Sequence, residues 1–184
     1  MDNHSLHNDN FIFKHHNPSS AIESDILFTV LEAIHNKQAV HIVQYRRRAN
    51  KERSGIFVPL QIYKSVQTGR VYIMVYEERN GYHSLRLDYI SSITADKVVE
   101  NYDVLKKEFQ KYRNHIWNVS LGSFGNGRQN NRKLEHVEFT VFFDNDEKHI
   151  YQRLLTERRV GKVELIDNNH ARFSAELFES QEIV

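Results

Sequence analysis

Between residues 39 and 94, short β-branched and aromatic runs alternate with compact turn signals, and no other feature constrains the fold as much. AVHIVQY (39–45), IFVPLQIY (56–63), VYIMVY (71–76) and SLRLDYI (84–90), which runs on into SSI, are each of strand length. RRRANKERSG, QTGR and EERNGYH separate them, the last with an Asn-Gly pair suited to a tight hairpin. In meander order these strands read as a small antiparallel β-barrel of about 80 residues. Pro59 has no N–H to give a ladder, so its run sits at an edge or carries a bulge. In GYHSLRLDYI the alternation puts Leu85, Leu87 and Tyr89 on a core face and Arg86 and Asp88 on the other.

Helical spacing flanks this region. Ile22, Ile26, Leu27, Val30, Leu31 and Ile34 recur at three and four residues, with Ser20 and Glu23 as a capping box. Tyr102, Leu105, Phe109, Tyr112 and Ile116 repeat the pattern over 102–116, and Trp117 then anchors that helix to a neighbouring surface. FIF at 11–13 is short enough for a strand. LGSFGNGRQNNRK (121–133) holds three of the chain's 7 glycines and reads as a basic linker. Beyond it come strand 135–143, helix 146–160, strand 162–167 and strand 170–178. This β-α-β-β order is the first part of a ferredoxin-like βαββαβ unit, left incomplete at SQEIV. The expected class is therefore α+β. Its divisions are a tail (1–19), the barrel (20–100), a linker helix and loop (101–133) and a partial C-terminal unit (134–184).

Charge and composition remove several functions. Lys and Arg total 25 against 24 Asp and Glu, a net charge of +1, so bulk charge cannot carry polyanion binding. With 0 Cys there is no disulfide, thiol nucleophile or thiolate metal site, which suits a reducing cytoplasm. MDNHSLHNDN is polar where a signal peptide is apolar, and no run approaches the ~20 apolar residues of a membrane span. A soluble cytoplasmic protein without membrane contact is expected.

ILFTVLEAIHNKQAVHIVQY, FVPLQIY and VYIMVYEERNGYHSLRLDYISSI, in that order, resemble the WYL domain family. Tyr45 matches the family's strand-end tyrosine, and Pro59 with Leu60 its Pro-Leu pair. Val71, Tyr72 and Ile73 occupy the naming Trp-Tyr-Leu triplet, and His83 to Ile90 the family's R-x-F-R-L-D-R-I strand. Val71 stands in place of the Trp, His83 of the first Arg and Tyr89 of the last. EHVEFTVFF, HIYQRLLTERRVGKVELI and ARFSAELFES resemble the C-terminal extension, often called WCX, that follows such domains. The resemblance implies an SH3/Sm-like barrel in a bacterial transcriptional regulator, sensing a ligand that is in several cases nucleic acid or nucleotide-like. A helix-turn-helix domain, absent from this chain, would then read the DNA, normally as a homodimer.

The candidate ligand site gathers Tyr45, Arg46, Arg48, Arg53, Ser54, Tyr72, His83 and Arg86. Arginine forks suit a phosphodiester or carboxylate, hydroxyls add donors, and tyrosine faces stack on bases. Arg46–Arg48 alone reads as a solvated hairpin. Arg86 is read as a ligand contact and Asp88 as the residue that orients it. Single-stranded nucleic acid as the direct target is the alternative, and a purely architectural dimerisation module is a third reading.

Other motifs reduce to ordinary structure. His15, His16, His35 and His41 lack metal-ligand spacing, so no metal or other cofactor is expected. Asp144 and Asp146 precede a helix and read as its caps. Ser123 has no nucleophile elbow, and FGNGRQN lacks the Lys-Ser/Thr of a phosphate loop. No catalysis is expected.

Overall fold

The computed structural model describes residues 24–46, 51–65, 68–122 and 133–183. The strand at 11–13, the Ser20–Glu23 capping box, Arg48 and the glycines at 125 and 127 lie outside the described residues. Helix α1 (Ser24–His35) leads into strands β1 (Gln38–Arg46), β2 (Lys51–Lys64), β3 (Val71–Glu77) and β4 (Gly81–Arg86). A 3₁₀ turn (Leu87–Tyr89) then precedes β5 (Ile90–Val98). The five strands form one antiparallel sheet in the order β4-β3-β2-β1-β5.

Strand β2 is shared lengthwise. Its first half pairs with β1 (Phe57 opposite Val40) and its second with β3 (Tyr63 opposite Tyr72). All five strands send side chains into one core: Val40, Ile42, Phe57, Ile73, Val75, Leu85 and Ile90. Helix α1 covers that face with Ile26, Val30 and Ala33. Leu31, expected on the apolar face, is 50% exposed beside Phe28, because the buried arc of α1 is narrower than its apolar arc.

The sheet is open where a closed barrel is expected. β4 and β5 are its outer strands and do not pair with each other among the described residues. The 3₁₀ turn between them carries the chain from one edge to the other instead of reversing it beside β4. Pro59 lies in a central strand and is accommodated by the expected bulge, a register shift between Pro59 and Gln61. The Asn-Gly hairpin is present, with Gly81 at φ 67°, a left-handed value that suits glycine.

Helix α2 (Tyr102–Arg113) covers part of the sheet's other face, burying Tyr102, Leu105 and Phe109 against Leu60, Met74 and Tyr82. Two tyrosine hydroxyls fasten it: Tyr102 donates to the Pro59 carbonyl (2.9 Å) and Tyr82 to the Leu105 carbonyl (3.1 Å). A second sheet contains β6 (Glu135–Phe142), β7 (Lys162–Leu165) and β8 (His170–Leu177) in the order β6-β8-β7, with α3 (Lys148–Glu157) between β6 and β7. The expected β-α-β-β order is present.

Trp117 packs edge-on against Phe173 of β8, with centroids 5.7 Å apart. Asp144 and Asp146 do not cap α3, whose N-cap is Glu147 and has no side-chain cap bond. The helix begins two residues later than expected, and both aspartates fall upstream of the cap. Among the described residues, no helix is long and apolar enough to cross a membrane.

Candidate functional site

Arg86 ends β4 directly opposite Tyr72, and Tyr72 in turn lies opposite Tyr63. Residues opposite each other share a face, so Tyr63, Tyr72 and Arg86 form a row across three strands. The row lies on the face opposite Ile73 and Leu85, which point into the α1 core. The 3₁₀ turn then sets the arginine. Side chains three residues apart eclipse in such a turn, which brings Tyr89 back onto Arg86.

The Arg86 guanidinium lies 3.9 Å from the Tyr89 ring centroid, and its Nη1 donates to the Tyr89 hydroxyl (2.7 Å). Nε and Nη2 donate to the two Asp88 carboxylate oxygens, at 3.0 and 2.5 Å. The Arg86 pKa is raised, first by the hydrogen bond to Asp88, against the opposing effect of burial. Its side chain is 23% exposed. Asp88 is thus in contact with Arg86, whereas Tyr89 is not in the leucine core. The period-two pattern fails there because the strand ends at Arg86.

Arg53 and His83 belong to a different cluster. Arg53 lies opposite Gln44 and His83 opposite Val75, both on the α1 side of the sheet. Arg53 Nη2 donates to both Glu77 oxygens, at 2.7 and 2.9 Å. His83 Nε2 is 3.7 Å from Glu77 Oε2, and its ring stands edge-on to Phe57 at 5.9 Å. Asn80 donates to the same carboxylate (2.5 Å). Glu77 therefore gathers a guanidinium, an amide and an imidazole around one carboxylate whose side chain is 12% exposed.

The remaining candidates divide between these places. Tyr45 is exposed near the end of β1, next to Gln44, which pairs with Ile90 just beyond the 3₁₀ turn. Strand pairing thereby brings Tyr45 to the same end of the sheet as the Arg86 turn. Ser54 lies opposite Val43 on the face that carries Tyr45. Arg46 is the last residue of β1.

Two participants escape sequence reasoning. Tyr63 joins the row only through the β2–β3 register, which the Pro59 bulge shifts by one residue. Glu77 meets Arg53 across 24 positions, with no local signal beyond its place at the start of the Asn-Gly turn. Among the described residues, no group of three or more acidic or histidine side chains is placed to hold a metal ion.

Residues 25–95, from α1 into β5, match the family model of the WYL domain. This chain carries a WYL domain. The match includes Arg86, Asp88, Tyr72 and the whole Glu77 cluster, and stops before α2 and the second sheet. Among solved structures, the chain is similar to proteasome accessory factor B/C of Arthrobacter aurescens, at 11% identity and a TM-score of 0.43. That alignment covers 87% of this chain and 22% of the other. It is also similar to a CRISPR Cas-related protein, at 12% identity and a TM-score of 0.36, over 82% of this chain and 42% of the other. The chain thus spans less than half the length of either. No curated protein matches it.

Proposed function

We propose that the chain is the effector-sensing module of a bacterial transcriptional regulator, and that an anionic, nucleotide-like or oligonucleotide-like effector binds along the row of Tyr63, Tyr72 and Arg86. The observation that carries this reading is the posed guanidinium. Asp88 and Tyr89 engage three of the five N–H donors of Arg86, and a second bidentate partner needs only two more. The tyrosines beside it pack partly against the α2 core, and the part of each ring left outside can meet a base.

Arg53, bonded to Glu77, and His83, 3.7 Å from it, lie off this row and in this reading support the domain's shape. The strand order, with a 3₁₀ turn before β5, supports an SH3/Sm-like arrangement. The segment after α2 is assigned to the extension that follows WYL domains. DNA would be read by a separate helix-turn-helix domain in a homodimer, with binding here shifting its pose. The module binds rather than catalyses.

The aromatic row also favours a second reading, in which single-stranded nucleic acid is the final target. Fluorescein-labelled DNA and RNA ten-mers, titrated at two salt concentrations with mononucleotide competition, separate the two. Tight, steeply salt-dependent oligonucleotide binding that mononucleotide does not displace favours the second reading. Efficient displacement favours a small effector. Arg86→Ala should abolish binding in either case, and Arg86→Lys should restore little of it, since an ammonium lacks the planar fork. Binding that Arg86→Ala retains, or none at tens of micromolar, rejects the site.

A further inference from the structure

Beneath α3 lies a cavity of about 660 Å³, well away in sequence from the WYL domain. Its floor is aromatic: Phe139 stacks on Phe173 at 4.9 Å, and Trp117 stands edge-on to Phe173 at 5.7 Å. Its roof is α3, which has no fully buried residue and presents Ile150 and Leu154 to the space. A helix with its apolar side seated tightly on the sheet would leave no such gap, since protein interiors pack at crystal-like density.

The polar lining is one-sided. Arg153, Arg158 and Arg159 line the cavity with a single acid, Glu157, so these four side chains sum to +2. Glu157 is bonded to Arg153 (3.0 Å). Arg159 donates to the Trp117 carbonyl (3.2 Å), with its guanidinium 5.7 Å from the indole centroid. One arginine is therefore fixed at the floor's aromatic edge, while the other two flank the roof. Volume, apolar floor and cationic lining together describe the site of a small ligand with a flat apolar body and an anionic head.

We infer that the space between α3 and the β6–β8 sheet is a second ligand site, taking a small aromatic carboxylate or sulfonate. The apolar body lies against Phe139, Val141 and Ile150, above the fully buried Phe173, and the anion faces Arg153 and Arg158. This assignment does not rest on the Arg86 row.

A matched pair of dyes tests it. 1-Anilinonaphthalene-8-sulfonate is anionic, and N-phenyl-1-naphthylamine is the same body without the sulfonate. The full chain should bind one equivalent of the sulfonate dye, and decanoate should compete with it. In the R153Q/R158Q double variant its Kd should rise at least tenfold, while that of the neutral dye stays within twofold. Ile150→Trp, which fills the space from the roof, should remove both dyes, and Leu154→Trp serves if that variant does not fold. Arg86→Ala should change neither Kd.

Equal weakening of both dyes by the double variant, or none, overturns the assignment. So does binding that persists with the roof filled, or several equivalents of dye per chain. Dye release as the protein is concentrated into dimers would give the space to a second copy instead, and also overturns it.

Discussion

Two arginines of the WYL domain show how one residue type serves opposite ends. Arg53 meets both oxygens of its carboxylate through Nη2 and Arg86 through Nε and Nη2, yet the acid of Arg86 is two residues away and that of Arg53 is 24 away. A neighbour two positions off adds little to chain closure, and on the proposed reading it aims the guanidinium. A partner 24 positions off ties β2 to the end of β3, and it holds His83 and Asn80 as well. Glu77→Gln keeps the shape and removes the charge, leaving Arg53, 31% exposed, without its anion. The expected loss is about 2 kcal/mol, the scale of a hydrogen bond to a charged group. Urea unfolding at neutral pH checks this. The sheet folds without help from this cluster if the midpoint stays within error of the parent.

At the scale of elements, what the sequence discloses follows from how local each cause is. Strand runs, the Asn-Gly hairpin, the Pro59 bulge and the β-α-β-β order were legible because neighbouring residues determine them. The 3₁₀ turn was not. Leu85 and Leu87 are both buried, as a continuing strand would have them, so the alternation gives no warning that period two ends at Arg86. Tyr89 therefore departs from the leucine face that alternation assigns it, and Tyr63 joins the row only through the register between strands. Arg53 and Arg86 share a residue type but not a side of the sheet, and residue type alone does not say which side a strand residue faces.

Gly161, between α3 and β7, makes the same point about what spacing hides. Its φ is 87°, and a Cβ there would stand 2.6 Å from the Ser174 carbonyl oxygen and 2.8 Å from the Ala175 Cβ. Backbone cannot give way cheaply at that distance. Gly161→Ala should therefore cost about 2–4 kcal/mol, combining left-handed strain with overpacking. The thermal transition followed by Trp117 fluorescence should fall by many degrees. An unchanged transition would mean that β8 shifts freely.

Across the whole molecule, α2 links the two sheets. Its inner side shares a core with Leu60, Met74 and Tyr82 of the first sheet, and Phe178, the residue after β8, enters that same core. The Phe178 N–H donates to the His115 carbonyl (3.1 Å), and His115 Nδ1 donates to the Glu176 carbonyl (2.7 Å). Loosening α2 from Pro59 should therefore be felt at Trp117, the only tryptophan, which lies on Phe173.

Alkali offers a graded way to do this. Burial pushes the Tyr102 phenol up to about 12, with Asp103 adding to the effect, and burial also raises Tyr82 above its ordinary value. A phenol held neutral by folding stabilises fully below its unfolded pKa near 10, and that contribution is lost as pH rises towards 12. Tyr102→Phe should cost about 1 kcal/mol at pH 8, through the lost bond to the Pro59 carbonyl. Above pH 10 the parent should lose roughly 1.4 kcal/mol per pH unit at this one group, so its advantage should vanish near pH 11. Urea titrations at pH 8, 10 and 11, read by far-ultraviolet circular dichroism and by Trp117 emission, measure both effects at once. A stability gap that stays constant with pH would contradict the buried neutral phenol. Transitions that separate between the two signals would show that the sheets unfold independently and that α2 does not couple them.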